Sequence, residues 1–209
     1  LTSPLFHVSG LSAGAVTSLF AGSTTLLYDG RFLANRVIEV IQKYNVTSWG
    51  GAVPTALKRV LDDAEAQGLK MMSVLVVGGG GAPMPPELIS RTKDVFPNSK
   101  HSFGYGYGLT ESGAITIINW GDNLKNEPAS PGQPMPTIQV QLRDEDGEVI
   151  DKDSIEGEIY VKSPSVMLGY YNNTLASKDS LTEDRWLKTG DWGFKKKSLY
   201  YISSRRTDL

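Results

Sequence analysis

Cysteine is absent from the 209-residue chain, and histidine is almost absent. Without cysteine, disulfides and thiolate metal sites are excluded. Two histidines, His7 and His101, are too few for a histidine-rich metal site. No apolar run reaches the roughly 18 residues that a membrane-spanning helix needs, so no membrane span is predicted. An excess of one charge is also lacking, since 21 Lys and Arg face 23 Asp and Glu. This balance argues against nucleic acid or an anionic membrane as the main partner.

The composition is that of a folded soluble protein. Hydrophobic residues make up 40% of the chain, enough for one substantial core or two small ones. No basic stretch precedes a cleavable apolar segment, so a cytoplasmic location is predicted. The chain begins at Leu1 inside an apolar segment and stops within a charged one, residues 203–209. We therefore expect both ends to be cut from a longer protein.

Helical and strand periods alternate along residues 1–127. Apolar residues at helical spacing, such as Leu33, Val37 and Ile41, predict helices, and short apolar runs between turn residues predict strands. The predicted helices cover residues 11–19, as a buried helix, 32–44, 54–67 and 85–96. The predicted strands cover residues 23–28, 46–49 and 74–77, and another begins at 102–103. This alternation predicts an α/β fold in which helices flank a parallel sheet.

From residue 128 the pattern changes to strands without intervening helices. Four prolines between residues 128 and 136 predict a connector with no helix. Ile138, Val140 and Leu142 alternate with polar residues and predict a strand, followed by an Asp146-Gly147 hairpin turn before residues 149–150. Residues 158–161 and 199–202 predict two further strands. The sequence therefore predicts an α/β subdomain over residues 1–127 and a small β subdomain over residues 128–204.

Four glycines lie between the predicted strand 74–77 and the next helix. Glycine lets backbone approach a ligand closely and leaves its N–H groups free to face that ligand. The run lacks Gly-Lys-Ser/Thr and is therefore not a P-loop. Both a ligand-binding loop at a strand end and a plain strand-to-helix turn remain open. The candidate residues are Gly79, Gly80, Gly81, Ala82 and Pro83.

A second cluster, residues 104–111, alternates glycine with tyrosine after the next predicted strand. The ring of Tyr107 offers a flat face on which a nucleobase can stack. Thr110 is suited to hydrogen-bond a phosphate, and Glu111 is suited to hold Mg²⁺, which prefers carboxylate and phosphate oxygens. Leu109 stands where the dinucleotide-binding fingerprint needs its last glycine, so that fingerprint is excluded. A packed aromatic turn with a surface glutamate is the alternative.

Two weaker candidates complete the set. Asp191, within residues 186–193, is predicted to lie in a tight turn, where it could accept two hydrogen bonds from a ribose diol. The alternative is a turn aspartate that satisfies backbone N–H groups. His7 precedes a predicted helix, so it is either a catalytic residue or a packing or capping residue.

The order of these clusters is more specific than any one of them. In chain order they are Phe6-His7-x-x-Gly10-Leu11, Gly-Gly-x-Ala-Pro ending at Pro83, Tyr107-Gly108-Leu109-Thr110-Glu111, Gly157-Glu158-Ile159, Gly169-Tyr170-Tyr171, Lys188-Thr189-Gly190-Asp191 and Arg205. Across essentially the whole chain, this order resembles the adenylate-forming superfamily of acyl-CoA synthetases, firefly-type luciferases and peptide-synthetase adenylation domains. The run from Gly157 to Tyr171 looks most like the acyl-CoA synthetases. The resemblance implies part of the large N-terminal domain of that fold, with a β-barrel-like second subdomain.

The resemblance also implies a reaction. A carboxylic acid, expected to be a fatty acid, would be activated by ATP through an acyl-adenylate and then joined to coenzyme A as a thioester. The expected ligands are ATP or AMP, Mg²⁺, coenzyme A as co-substrate and a small-molecule carboxylic acid. A homodimer is left open.

Site roles follow from the same resemblance, position by position. Tyr107, with Gly108, would stack on adenine, and the loop of residues 79–83 would line the other side of the base. Thr110 would contact phosphate and Glu111 would coordinate Mg²⁺. Asp191 would bind the ribose hydroxyls with help from Arg205. His7 would lie beside the reacting carboxylate, so the implied catalytic residues are His7, Thr110 and Glu111.

The chain departs from the family pattern at its ends. A phosphate loop with its lysine is expected before Phe6, and a C-terminal domain with the catalytic lysine is expected beyond Leu209, so the piece itself is expected to be inactive or weak. Residues 205–209 would begin the hinge, although Thr207 stands where the family usually has Asp or Lys. An amino-acid adenylation domain and a non-catalytic remnant that binds a nucleotide or an acyl chain are the alternatives.

Overall fold

The computed structural model of the protein describes residues 1–99 and 103–205. The helices are α1 Val8–Gly10, α2 Thr17–Phe20, α3 Ala34–Tyr44, α4 Pro54–Ala66, α5 Pro86–Val95, α6 Gly121–Asn126 and α7 Thr174–Ser180. A π-helical stretch, Leu11–Val16, joins α1 to α2, and 3₁₀ turns lie at Pro97–Ser99 and Thr110–Ser112. The strands are β1 Ser48–Ala52, β2 Val76–Gly80, β3 Phe103–Leu109, β4 Ala114–Trp120, β5 Gln133–Pro134, β6 Gln139–Arg143, β7 Gly157–Lys162, β8 Leu187–Lys196 and β9 Leu199–Arg205.

The strands form two sheets, with the order β1-β2-β3-β4-β5 in one and β6-β7-β8-β9 in the other. By internal contacts the chain divides into two compact units, each described by itself below. The first unit contains Leu1–Gly106 and Asn119–Ala129, and the second contains Tyr107–Ile118 and Ser130–Leu209. The subdomain boundaries drawn from the sequence stay predictions. In the described part of the chain, no helix combines the length and apolar character required to cross a bilayer.

Parallel strands and amphipathic helices build the first unit, as the sequence predicts. Strand β2 pairs in parallel with β1 and with β3. Helix α4 begins with Pro54 in its first turn, where the missing N–H costs nothing. Its buried side chains recur at helical spacing, so one face packs into the core. The α/β class is thereby confirmed, and so are the helices predicted at residues 32–44, 54–67 and 85–96.

Two predictions in the first unit are wrong. Residues 23–28 form no strand. Two of their backbone groups bond to Leu1, whose amine donates to Leu26 O and whose carbonyl oxygen accepts from Tyr28 N, and Ser23 N donates to Ser18 O. A strand needs a paired neighbour as well as a suitable composition. Residues 11–19 are helical as predicted but not buried, since Leu11 is 50% and Leu19 75% exposed.

The glycine-rich clusters also lie differently from the prediction. Strand β1 begins two residues later than predicted and β2 runs through Gly80, so three of the four glycines are strand residues. They pair in register with β3, for example Gly80 with Gly106. Strand β3 itself continues to Leu109, so residues 104–109 are strand and not a loop after it. Residue 102, the predicted start of this strand, lies outside the described residues.

The second unit contains the antiparallel four-stranded sheet. Strand β7 pairs with β6 and β8, and β8 pairs with β9. The inward side chains form a core that includes Ile117, Leu142, Ile159 and Leu187. Among the described residues, β6 and β9 are not paired with each other, and a hydrogen bond from the Tyr200 hydroxyl to Val140 O (3.0 Å) joins them.

The local sequence pattern predicted the secondary structure of this unit incorrectly in several places. Residues 187–196 form the longest strand, β8, although Lys188-Thr189-Gly190-Asp191 was expected to be a turn. The segment is held extended because it has a strand on each side. The Asp146-Gly147 turn is present, with a bond from Gly147 N to Asp144 O, but only an isolated bridge at Val149 follows it. Helix α7 was not predicted; Asn173 caps it by accepting from Ala176 N.

Candidate functional site

Three of the predicted adenosine-binding residues contact one another in the second unit. The Tyr107 hydroxyl donates a hydrogen bond of 2.6 Å to Asp191 Oδ2. Arg205 Nε lies 3.4 Å from the other carboxylate oxygen, Oδ1. Asp191 and Arg205 stand directly opposite each other in the pairing of β8 with β9. Tyr107 lies on β3, so the structure brings together residues from three strands.

The backbone around Asp191 is held by side chains of the same unit. The Thr189 hydroxyl donates to Ile159 O (2.8 Å) and accepts from Asp191 N (3.1 Å). Gly190 N donates to Glu158 Oε1 (3.1 Å). Glu158 is buried, so its carboxylate is fixed by this contact and not by solvent. Gly190 has φ +74°, a conformation that glycine adopts without strain. Together these contacts fix the position of the Asp191 carboxylate.

Burial raises the pKa of the Tyr107 hydroxyl well above its ordinary value, and the negative charge of Asp191 and the hydrogen bond to it raise it further. Tyr107 therefore remains a protonated donor at neutral pH. Each carboxylate oxygen of Asp191 has two lone pairs, so contacts with Tyr107 and Arg205 leave acceptor capacity for two ribose hydroxyls.

Glu111 lies in the 3₁₀ turn that follows β3. Its Oε1 accepts a hydrogen bond of 2.8 Å from the Tyr170 hydroxyl, and its backbone oxygen accepts from Met167 N at 2.8 Å. The next residue, Ser112, is buried and its backbone oxygen accepts from the Ser165 hydroxyl at 2.8 Å. The turn that carries Glu111 is therefore held by the segment of residues 165–170.

Thr110 and Gly108 flank this turn. Thr110 is exposed, and its hydroxyl has no hydrogen-bond partner among residues 1–99 and 103–205. That hydroxyl is positioned to meet a ligand from solvent. Gly108 has a packing role, because a Cβ there would lie 1.9 Å from Ala114 O. The glycine is thus required by the approach of β4, whatever ligand is bound.

The glycine run has a structural explanation in the first unit. A Cβ on Gly79 would lie 2.6 Å from Met84 Cε, and one on Gly80 would lie 2.8 Å from Gly106 O. Gly81 has φ +78°. Neighbouring backbone therefore requires glycine at position 80, and backbone conformation favours it at position 81. At position 79 the close neighbour is the end of a flexible methionine side chain, which can move aside. Ala82 and Pro83 follow as an exposed segment before α5.

His7 caps the first helix. Its Nδ1 accepts from Ser9 N at 3.1 Å and lies 2.8 Å from Ser9 Oγ, so the N-terminal turn of α1 is satisfied by its ring. The ring is exposed. Because Nδ1 accepts, the proton of the neutral ring is placed on Nε2, the nitrogen that faces away from the cap. A capping role and a role at a substrate are compatible in this geometry.

Known proteins match the chain over most of its length. The family described as AMP-binding enzyme matches residues 1–171. The chain belongs to this family. It is 32% identical over 209 residues to a long-chain-fatty-acid–CoA ligase of Bacillus subtilis, covering 99% of this chain and 36% of that protein. It is 29% identical over 197 residues to 4-coumarate–CoA ligase 1 of Arabidopsis thaliana, covering 91% and 34%.

Solved structures of related enzymes also match the fold of this chain. The structure of Bacillus subtilis O-succinylbenzoate coenzyme A synthetase in complex with ATP and magnesium ion has a TM-score of 0.87 and 30% sequence identity. The match covers 100% of this chain and 42% of that one. The chain thus spans between a third and a half of the length of these AMP-binding enzyme relatives.

The residues present fit the magnesium that accompanies ATP in that relative. Mg²⁺ is usually held by one or two carboxylates together with substrate phosphates and water, and not by an all-protein cage. In the described part of the chain no group of three or more His, Cys, Asp or Glu is arranged to hold a metal. Glu111 is partly exposed, and of its two carboxylate oxygens only Oε1 has a protein partner among the described residues. A carboxylate of this kind suits an ion whose other ligands come from the nucleotide.

Several contributors to the site carried no predicted role. Tyr170, Ser165, Thr189 and Glu158 support Glu111 or Asp191 through hydrogen bonds. All four lie in runs that carry the family resemblance, so a search for hydrogen-bonding partners within those runs would have found them.

Proposed function

We propose that the protein containing this chain activates a carboxylic acid with ATP and transfers the acyl group to coenzyme A. The contact of Tyr107 with Asp191, and of Asp191 with Arg205, carries the proposal. These contacts join residues that the resemblance assigns to one nucleoside, and Tyr107 lies 84 residues before Asp191 in the sequence. Membership in the AMP-binding enzyme family supports the same activity.

The reaction has two displacements. A carboxylate oxygen of the acid attacks the α-phosphorus of ATP, the bond to the β-phosphate oxygen breaks, and pyrophosphate leaves with that electron pair. The sulfur of coenzyme A then attacks the acyl carbon, AMP leaves, and the thiol proton passes to solvent or a base. Both steps bring anions together or redistribute negative charge, so positioned residues contribute mainly by orientation and charge stabilisation.

Five candidate site residues of the second unit have proposed roles in nucleotide binding. Tyr107 presents its ring to adenine while its hydroxyl is held by Asp191. Asp191 accepts from the ribose hydroxyls, and Arg205 offsets its charge. Thr110 donates to a phosphate oxygen, and Glu111 would hold Mg²⁺, which supplies neutralisation of phosphate charge when bound.

The roles proposed in the first unit rest on the resemblance. The loop of Gly79 to Pro83 is proposed to line the base, and His7 to lie near the reacting carboxylate, where its Nε2–H would be the available donor. A homodimer and a cytoplasmic location also stay predictions.

The proposed acid is a fatty acid. Support comes from the 32% identity to the long-chain-fatty-acid–CoA ligase. The 4-coumarate ligase and the O-succinylbenzoate synthetase are similar to nearly the same degree, so an aromatic acid is the competing candidate. A panel of fatty, cinnamic and succinylbenzoic acids separates these candidates.

The first test is calorimetric titration of the chain with AMP and with ATP and Mg²⁺. We expect binding that is abolished by Asp191→Ala and by Tyr107→Ala and is unchanged by Tyr171→Ala, whose side chain is 94% exposed. A folded chain that binds neither nucleotide would refute the adenosine site. Pyrophosphate exchange in the complete parent protein, with the acid panel, then tests the reaction; no exchange with any acid would contradict the proposed activity.

A further inference from the structure

Residues 163–171, between β7 and α7, form a segment that contacts the Glu111 turn at three points within the second unit. The Ser165 hydroxyl donates to Ser112 O at 2.8 Å. Met167 N donates to Glu111 O at 2.8 Å. The Tyr170 hydroxyl donates to Glu111 Oε1 at 2.8 Å, across 59 residues of sequence. Two of the contacts hold backbone, and only the third reaches the carboxylate.

Tyr170 is itself fixed at its backbone. Its N–H donates to the Ser177 hydroxyl oxygen at 2.8 Å, and that hydroxyl in turn donates to Asn173 O at 2.7 Å. Gly169 allows this approach, since a Cβ there would lie 2.9 Å from Ser177 Oγ. The base of the Tyr170 side chain is therefore anchored to the first turn of α7.

The same segment is held from its other side by Arg185. The guanidinium donates to Met167 O at 2.7 Å and to Leu168 O at 3.2 Å. A segment tied at both sides presents the Tyr170 ring in a defined direction. Its hydroxyl then reaches one oxygen of the Glu111 carboxylate, while Oε2 has no partner among residues 1–99 and 103–205.

The two neighbouring tyrosines differ sharply. Tyr170 is 39% exposed, whereas Tyr171 is 94% exposed. The hydroxyl of a tyrosine is a hydrogen-bond donor at neutral pH, and here it donates to Glu111. Tyr171 therefore provides a matched control for substitution at Tyr170.

We propose that Tyr170 is a positioning residue: its hydroxyl holds one oxygen of Glu111 and thereby directs the other oxygen toward the magnesium ion of the bound nucleotide. The inference deepens the proposed function and rests on it. Outer partners of metal-binding carboxylates orient the ligand, and their loss typically lowers metal affinity or activity by 10 to 100-fold.

The first arm of the test needs no nucleotide. In the free chain, NMR of ¹³C-labelled glutamate compares the two γ-methylene proton shifts of Glu111 in the native protein, Tyr170→Phe and Tyr171→Phe. A held carboxylate side chain gives two distinct shifts. We expect these shifts to converge in Tyr170→Phe and to stay distinct in Tyr171→Phe. Unchanged, distinct shifts in Tyr170→Phe would overturn the positioning role.

The second arm measures the metal dependence of binding. Calorimetry gives the affinity for AMP in EDTA and for ATP with and without Mg²⁺. We expect Tyr170→Phe to leave AMP affinity within about twofold and to reduce the gain that Mg²⁺ confers on ATP by about tenfold. If Mg²⁺ raises the ATP affinity of Tyr170→Phe by as much as that of Tyr171→Phe, the proposal is overturned. The proposal is also overturned if Tyr170→Phe loses as much affinity for AMP as it loses for ATP with Mg²⁺, because that indicates a general structural effect.

Failure of the proposed function has a different signature. A native chain that binds neither nucleotide refutes the adenosine site and overturns the magnesium part of this inference with it. The NMR arm still decides separately whether Tyr170 holds Glu111. Ser165→Ala is a second variant, because it removes the contact of the same segment with the backbone of Ser112. If it changes the Mg²⁺ dependence as much as Tyr170→Phe does, a specific role for the Tyr170 hydroxyl is contradicted.

Discussion

The Tyr107 hydroxyl donates to Asp191 Oδ2 at 2.6 Å, although 84 residues separate the two in sequence. The Asp191 side chain is only 12% exposed, whereas that of its other partner, Arg205, is 57% exposed. An ion pair with an exposed member contributes little because water and salt screen it. The hydrogen bond from the partly buried Tyr107 is therefore the stronger constraint on the carboxylate.

Tyr107→Phe tests this hydrogen bond while keeping the ring. We expect the free energy of unfolding to fall by about 1–3 kcal/mol, because the buried Asp191 loses a donor. AMP affinity should also fall, since the carboxylate is no longer held, but less than in Tyr107→Ala, which removes the ring as well. Urea denaturation and calorimetry measure the two effects. Tyr171→Phe is the control; equal behaviour of the two phenylalanine variants would contradict a structural role for the contact.

The raised pKa of Tyr107 predicts a pH dependence of stability. A group whose pKa is higher in the folded state favours folding below its unfolded pKa, about 10 for tyrosine, and loses that contribution as the pH rises toward the folded value. The stability difference between the native protein and Tyr107→Phe should stay constant from neutral pH to about 10. Above that it should shrink by at most about 1.4 kcal/mol per pH unit.

Urea denaturation from pH 7 to 11 checks this dependence, with circular dichroism to confirm that both proteins remain folded. A difference that stays constant across the whole range would show that Tyr107 ionises alike in the folded and unfolded states.

Two glycines of β2 give a matched pair for the packing argument. A Cβ at position 80 would lie 2.8 Å from Gly106 O, whereas one at position 78 would lie at an ordinary 3.5 Å from Gly50 Cα. We expect Gly80→Ala to lower the free energy of unfolding by about 1–3 kcal/mol through overpacking. Gly78→Ala should be neutral or stabilising by up to about 1 kcal/mol, because alanine loses less backbone entropy than glycine. Similar denaturation midpoints for the two variants would refute the packing explanation.

Thr189→Val tests the support of Asp191 from its own strand. Valine keeps the shape but leaves Ile159 O and Asp191 N without the hydroxyl that joins them. We expect a loss of about 1–3 kcal/mol in unfolding free energy and a parallel loss of AMP affinity. Thr189→Ser retains the hydroxyl and should restore most of the affinity. If the serine variant binds AMP as weakly as the valine variant, the methyl group and not the hydrogen bonds supports the site.

Local patterns predicted the helices well because helical periodicity reports directly on a buried face. Val37, Ile41, Leu57 and Leu61 all recur at helical spacing and are all buried. The same approach failed for residues 23–28, whose composition suits a strand but whose backbone finds no strand partner. Composition expresses a preference for an extended chain, whereas pairing depends on a neighbouring strand whose position in the sequence the local composition does not reveal.

At Asp191 the error is the reverse, since a turn was predicted where the structure has a strand. Its Lys-Thr-Gly-Asp context is typical of a turn, yet it lies inside β8 because β7 and β9 bond to that strand from both sides. Flanking strands override weak local preference. The ribose role of Asp191 was argued both from that turn and from motif order. The argument from the turn fails, so the role stays a prediction that rests on motif order alone.

The sequence by itself determined the α/β class, the helices of the first unit, the family resemblance and the residue types available for a nucleotide. Only the tertiary structure decided which of those residues meet: that Tyr107 holds Asp191, that Tyr170 holds Glu111, and that neighbouring backbone requires glycine at position 80. Periodicity and motif order are local along the chain, so they can be seen in one dimension. A hydrogen bond across 59 or 84 residues depends on strand register and loop anchoring, which exist only once the chain is folded.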